Sequence, residues 1–236
     1  MCEYAQALPP HPMYMSLRVG TPNDPLRLAV MISGSGSGMK ALLEYTKKSK
    51  TCCHNTVIVL SDRLDAKGLS IAEDYGIFSL GIPLPKGNHD PISRRLIHEE
   101  SIQSRLIENN VEAIILSGYM RLLTPNFVSK WEGKILNIHP SLLPKFPGAH
   151  AHQDVLSSQE TESGCTVHFV DSGMDTGVII EQSIVPVFPD DTIKSLQKRV
   201  KIVEHKLYPK VIDDFSKGKV RLKNGEIISL QDRVDN

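Results

Sequence analysis

The stretch "RLAVMISGSGSGMKALLEY", residues 27–45, decides the architecture. It opens on a short apolar run, turns through Gly34, Gly36 and Gly38, and passes into a helix-compatible segment. An apolar run without polar alternation suits a strand covered on both faces. Four further runs repeat the theme: "NTVIVLS" (55–61), "IFSLGI" (77–82), "EAIILSG" (112–118) and "KILNIH" (134–139). Polar, helix-compatible stretches separate them. Strands alternating with helices predict a parallel sheet, and right-handed crossovers make it a doubly wound, mostly parallel α/β fold of Rossmann-like type.

The rhythm changes after Pro147. "GCTVHFV" (164–170) and "VIIEQSIVPV" (178–187) are strand-like and separated by only seven residues, "DSGMDTG". That gap is too short for a helical crossover, so the C-terminal part should be antiparallel. A long late helix is expected over 190–218, where Ile193, Leu196, Val200, Val203, Leu207, Val211 and Phe215 keep a three-and-four spacing. Pro209 should kink or split it, and Asn224-Gly225 signals a hairpin. With no internal repeat or low-complexity linker, residues 26–236 read as a single domain and residues 1–25 as a flexible N-terminal extension.

Composition narrows the function classes. The 27 basic and 27 acidic residues cancel, so bulk charge suggests no nucleic acid and no membrane as partner. Small-molecule substrates remain, with monomer and homodimer both open. No apolar run approaches the ~20 residues of a membrane span. The first 25 residues carry five prolines and no apolar core of a secretory signal. The four cysteines show no CxxC spacing, and adjacent Cys52 and Cys53 suit neither a metal clip nor an easy disulfide. A reducing, cytoplasmic setting is the expectation.

Three stretches carry chemistry. The glycine turn exposes backbone amides at a helix start, which attract an anion. It is neither a Walker loop nor the dinucleotide fingerprint, because Met39 stands where glycine is needed. A phosphate cradle and a merely tight turn both remain readings. In "KILNIHP", Asn137 and His139 share one strand face, ~6–7 Å apart. They lie at the carboxyl end of a late parallel strand, where open α/β sheets place ligands. Pro140, Pro144 and Pro147 stiffen the chain beyond. Asp175, in "DSGMDTG", reads either as a turn aspartate or as a carboxylate that orients His139 and favours imidazolium. His168, with Thr166 and Val170 on its face, reads as structural. His150 and His152 form a weak metal signal without a third ligand nearby.

Together "ISGSGSG", "SGYMRLLTP", "LNIHPSLLPKFPG", "GCTVHFVDSGMDTGVIIEQ" and "VEHKLYP" resemble the glycinamide ribonucleotide transformylases, from about Leu26 to Leu222. The resemblance implies a formyltransferase fold and transfer of a formyl group from the cosubstrate 10-formyltetrahydrofolate to the amine of glycinamide ribonucleotide, in purine biosynthesis. It implies Asn137, His139 and Asp175 as catalytic, with His168 in support. It implies Gly36, Ser37, Gly38, Lys201, Ile202, Val203 and Glu204 at the ribonucleotide. The folate is expected along Arg95, Met120, Arg121, Leu122 and Leu123, beside Asn137 and the loop Asp171, Ser172, Gly173, Met174 and Asp175. Arg94 competes with Arg95. Glycine at position 38 and serine at 35 depart from the family's usual asparagines, which removes a side-chain contact at 38.

The implied reaction develops an oxyanion on the formyl oxygen, so preorganised donors are needed there. Asn137 and a protonated His139 would supply them, while Asp175 holds the charged ring and helps move protons. No metal and no covalent intermediate is required. Rival readings are a methionyl-tRNA formyltransferase, a formyltetrahydrofolate hydrolase and a non-catalytic folate or nucleotide sensor.

Overall fold

The computed structural model describes residues 15–87 and 90–229. The first strand, β1 (Leu26–Ile32), leads through the glycine turn into α1 (Ser37–Lys48). β2 (His54–Ser61), α2 (Lys67–Asp74), β3 (Phe78–Gly81), α3 (Pro91–Glu108), β4 (Ala113–Leu116), α4 (Pro125–Lys130) and β5 (Ile135–His139) continue the alternation. Then come α5 (Ala151–Ser157), β6 (Glu162–Phe169), β7 (Ile179–Pro186), α6 (Ile193–Ser216) and the hairpin β8 (Arg221–Lys223) with β9 (Glu226–Ile228).

The main sheet runs in the order β3-β2-β1-β4-β5-β6-β7. β3 through β5 pair in parallel, whereas β6 and β7 are antiparallel. The chain therefore winds outward from β1 to one side and from β4 to the other. The carboxyl ends of β1 and β4 flank this reversal, the place where doubly wound sheets open a crevice.

The apolar runs behave as two-faced strands. Leu26, Leu28, Val30 and Ile32 of β1 enter one core with α1 and α6, while Ala29 and Met31 enter the other. Trp131, fully buried, anchors the second core beside Phe127 and Val128 of α4. In α6, Leu196, Val200, Leu207, Tyr208, Val211, Ile212 and Phe215 are buried. Each large apolar side chain contributes about 1.5–3 kcal/mol on burial. Phe215 meets Phe169 of β6 edge-on at 6.1 Å between ring centroids. Thr192 and Ser195 cap the helix reciprocally.

Of the two outcomes expected at Pro209, a kink or a split, the split does not occur: α6 runs unbroken from Ile193 to Ser216. The proline removes one helical donor, but the buried stripe on either side holds both halves to the sheet. Asn224 (φ 53°) and Gly225 (φ 78°) both adopt the left-handed region that a tight hairpin turn requires.

Residues 1–14, the larger part of the expected extension, lie outside the described residues. Residues 15–25 run along the body. Arg18 is bidentate to Glu112, with Nε–Oε1 at 2.6 Å and Nη2–Oε2 at 2.9 Å. The Gly20 N–H donates to the Ser216 carbonyl at 2.8 Å, and Arg221 donates to the Arg18 carbonyl at 3.0 Å. No helix among the described residues is long and apolar enough to cross a membrane.

Candidate active site

A cleft of about 540 Å³ opens over the carboxyl ends of β1, β4 and β5. That volume falls within the usual range of small-molecule sites. The glycine turn, the Ser117–Leu123 loop, the end of β5, the β6–β7 loop and α6 form its walls. Asn137, His139 and Asp175 meet at its centre with His168.

Their hydrogen bonds define the protonation pattern. His168 sits on β6 directly across from Asn137 on β5. Its Nδ1 lies 2.8 Å from the Phe169 carbonyl, which can only accept, so Nδ1 carries the hydrogen. Burial, more than the opposing Phe169 and Asp175 contacts, holds the ring below the usual histidine range and hence neutral. Nε2 is then an acceptor, and Asn137 Nδ2 donates to it at 3.1 Å. An amide nitrogen has two hydrogens. The second is only loosely placed, 3.5 Å from Asp175 Oδ1, and remains available to a ligand oxygen.

His139 is engaged at both ring nitrogens. Nδ1 stands 3.2 Å from Asp175 Oδ2, and Nε2 stands 2.8 Å from the Phe146 carbonyl. Both neighbours are acceptors, an arrangement matched by a ring that donates from both sides. Asp175 is fixed by the Gly148 N–H at 2.8 Å and adopts φ 56°, a left-handed conformation uncommon outside glycine. The bracing that the prolines suggested is completed by hydrogen bonds. Thr166 donates to the Ser141 carbonyl at 2.7 Å and accepts from Leu143 N at 3.0 Å. Gln182 donates to the Leu143 carbonyl at 2.9 Å. Ser141 Oγ lies 2.7 Å from the Lys145 carbonyl and 3.0 Å from the Phe146 carbonyl, so its single hydrogen is shared between the two.

The other end of the cleft suits an anion. Gly36 takes φ 66° as the N-cap of α1, and no side chain caps this helix. Its first amides and the positive end of its dipole face the cleft uncompensated. A Cβ at Gly38 would lie 2.7 Å from Ser117 Oγ, so a side chain there would have to turn that hydroxyl aside. The space beside position 38 thus belongs to the hydroxyl of Ser117.

Across from α1, Lys201 and Glu204 of α6 line the wall, but Ile202 and Val203 do not. Only positions three or four apart share a helix face; Ile202 points to solvent and Val203 packs on the core. Burial, opposed by Lys201, raises the Glu204 carboxyl to about 7 from an ordinary 4.5. The folded chain therefore keeps a proton that the unfolded chain releases, and stability should fall as pH rises from 4.5 to about 7. Glu204→Gln is expected to flatten that slope, read as Tm against pH. A variant with the wild-type slope would remove Glu204 as its source.

On the far side, Met120, Arg121, Leu122, Leu123, Asp171, Gly173 and Met174 line the cleft, and Ser172 does not. Met120, Leu122 and Met174 expose apolar surface there, and Arg121 is anchored to Asp62 at 2.6 Å. Arg95 lies outside the main cleft, in an adjoining pocket with Leu84, His98, Glu99 and the 119–123 stretch. It donates to the Leu122 carbonyl at 2.7 Å, while Arg94 is tied to the Pro85 carbonyl. Sequence reasoning missed Ser117, Tyr119, Gly148, Gln197, His205 and Tyr208, all in the lining. His152, next to the α5 N-cap as expected, is in the lining as well. Tyr208 had a signal, since its ring falls on the same helix face as Lys201 and Glu204. Its hydroxyl lies 2.8 Å from the Leu116 carbonyl and 2.9 Å from that of Leu136, bridging β4 and β5 beneath the site.

A family model described as formyl transferase matches residues 26–212. The phosphoribosylglycinamide formyltransferase of Escherichia coli (strain K12) is 38% identical over 199 residues, covering 84% of this chain and 90% of that protein. The trifunctional purine biosynthetic protein adenosine-3 of Chironomus tentans is 47% identical over 199 residues. That match covers 84% of this chain, and the chain spans only 14% of the length of that relative. The structure of the phosphoribosylglycinamide formyltransferase from Coxiella burnetii superimposes with a TM-score of 0.80 at 34% identity, covering 87% of this chain and 93% of that one. With the sheet order, the cleft and these relatives in agreement, the chain belongs to the formyl transferase family, among its phosphoribosylglycinamide formyltransferases.

Proposed function

We propose that the chain transfers the formyl group of 10-formyltetrahydrofolate to the primary amine of glycinamide ribonucleotide, a step of purine biosynthesis. The observation that carries this reading is one continuous cleft with an uncapped helix N-terminus at one end and exposed apolar side chains at the other. The Asn137–His139–Asp175 cluster stands between them. A phosphorylated substrate and a folate would meet over that cluster.

The residues divide the work. Backbone amides of Gly36, Ser37 and Gly38 hold the phosphate, assisted by Lys201, and Glu204 accepts hydrogen bonds from the sugar. The 120–123 and 171–175 loops hold the folate, with Arg95 at its outer end. Asn137 directs its second amide hydrogen at the formyl oxygen, because His168 holds the first. His139 turns Nε2 from the Phe146 carbonyl to the same oxygen, and Ser141 turns its hydrogen from the Lys145 carbonyl to the one His139 leaves. Two donors then face the charge that develops as the amine attacks. Asp175 holds the imidazolium and accepts the proton that the amine loses, directly or through water, for return to the departing folate nitrogen. The mechanism assigns no role to a metal. Three free, buried cysteines support a cytoplasmic setting. The body from residue 26 acts as one formyl transferase domain in this reading.

The test is an absorbance assay of folate product with and without glycinamide ribonucleotide. Product that forms only with the ribonucleotide is expected. Equal rates without it would make the chain a hydrolase, and no product would overturn the reading.

A further inference from the structure

At the rim of the sheet opposite the cleft, three segments converge: the loop between α1 and β2, the start of β2 and the last turn of α6. They bring together Cys52, His54 and Asp213, all buried, with one donor atom from each within 4.8 Å of the others. We propose that this cluster is a binding site for one divalent transition-metal cation, zinc by its donor set, which clamps α6 to β2.

His54 carries the argument. It is 1% exposed, and neither ring nitrogen has a hydrogen-bond partner. Stacking on Tyr45 at 6.3 Å accounts for the position of the ring but not for its two orphaned nitrogens. Buried polar atoms are otherwise satisfied as a rule, and an exception calls for a cause. Asp213 contributes a carboxylate whose Oδ1 accepts from Cys53 N at 3.0 Å and keeps a lone pair. Its Oδ2 takes the Tyr45 hydroxyl at 3.0 Å and Lys217 Nζ at 2.6 Å.

Thiolate, imidazole and carboxylate together are a borderline donor set that suits zinc and excludes magnesium or calcium. Donors around a tetrahedral zinc stand roughly 3.3–3.8 Å apart, given bond lengths of 2.0–2.3 Å. The side chains need to close by at most about 1.5 Å from their present separations. A thiolate and a carboxylate would neutralise the ion. Lys217, whose side chain is 28% exposed, is free to swing outward as the cation takes its place. Spacing in the sequence argued against a metal clip at Cys52 and Cys53, because the third donor comes from 160 residues further along.

The test uses the full chain, stripped with a chelator and titrated with zinc against a chromophoric competitor, with cobalt as an optical probe. One equivalent per chain is expected, with a thiolate-to-cobalt charge-transfer band. Cys52→Ser should abolish that band, and both Cys52→Ser and His54→Gln should weaken zinc by more than the roughly 100-fold typical of a supporting residue. Cys53→Ser should bind as the wild type does. Circular dichroism checks that each variant is folded. If a variant is not, zinc should still protect Cys52 of the wild type from alkylation. No zinc bound, binding undiminished in folded variants, or no protection of Cys52 would each overturn the proposal.

Discussion

Asp175→Asn is expected to lower kcat for formyl transfer by about 10²–10⁴-fold, the usual contribution of a positioned acid–base group. KM for both substrates should stay within about tenfold. Asparagine tolerates the left-handed φ of 56° at this position, and its oxygen can still accept from Gly148 N. The substitution therefore removes charge while leaving shape. The oxygen that accepts from Gly148 N is also the one 3.2 Å from His139 Nδ1, so asparagine keeps a neutral acceptor there but loses the charge that favours imidazolium, and the amine's proton loses its acceptor. His139→Ala should cost a similar factor. The double variant should cost little more than either alone, since the two act as a unit. Turnover within tenfold of wild type for Asp175→Asn would remove the carboxylate from the mechanism.

Gly177→Ala should be nearly as damaging, and for a purely geometric reason. A Cβ at this position would lie 1.7 Å from the Phe169 carbonyl oxygen and 2.8 Å from its carbon. Both are backbone atoms, at the neck where the Phe169 N–H donates to the Val178 carbonyl at 2.9 Å. The neck has to open, and Asp175 is two residues away. A displacement of about 1 Å in a reacting group costs ~10²-fold, so kcat should fall by at least that factor. Overpacking also costs about 1–3 kcal/mol, a fall in Tm of several degrees for a chain of this size. Full activity at an unchanged Tm would mean that the loop does not depend on this close approach.

The parallel part of the sheet was legible because strands buried on both faces read as apolar runs, as β1 and β4 do, while the short edge strand β3 is only half-buried. The β6–β7 pair was legible from its seven-residue connection. What the sequence could not express were contacts between distant positions and contacts made by the backbone. The Phe146 carbonyl and Gly148 N–H shape the site through main-chain atoms that any residue type would carry. Lys201 to Glu204 were carried over as a block, yet helical geometry lets only the first and last of them face the cleft. Pro209 was read locally as a kink or a break, and packing along α6 prevented the break. Arg95, placed by likeness alone, lies beside the main cleft rather than in it.

Arg18 and Arg221, far apart along the chain, touch at the rim where β1, β2 and β4 begin, as do Gly20 and Ser216. Entry to and exit from the folded body thus share one side of the molecule, and the cleft opens on the other. Chain entering at Arg18 or leaving after Arg221 meets the body behind the sheet, away from the mouth of the cleft. Such a layout is modular: the catalytic body can be joined in series with other folded units without rebuilding its working face.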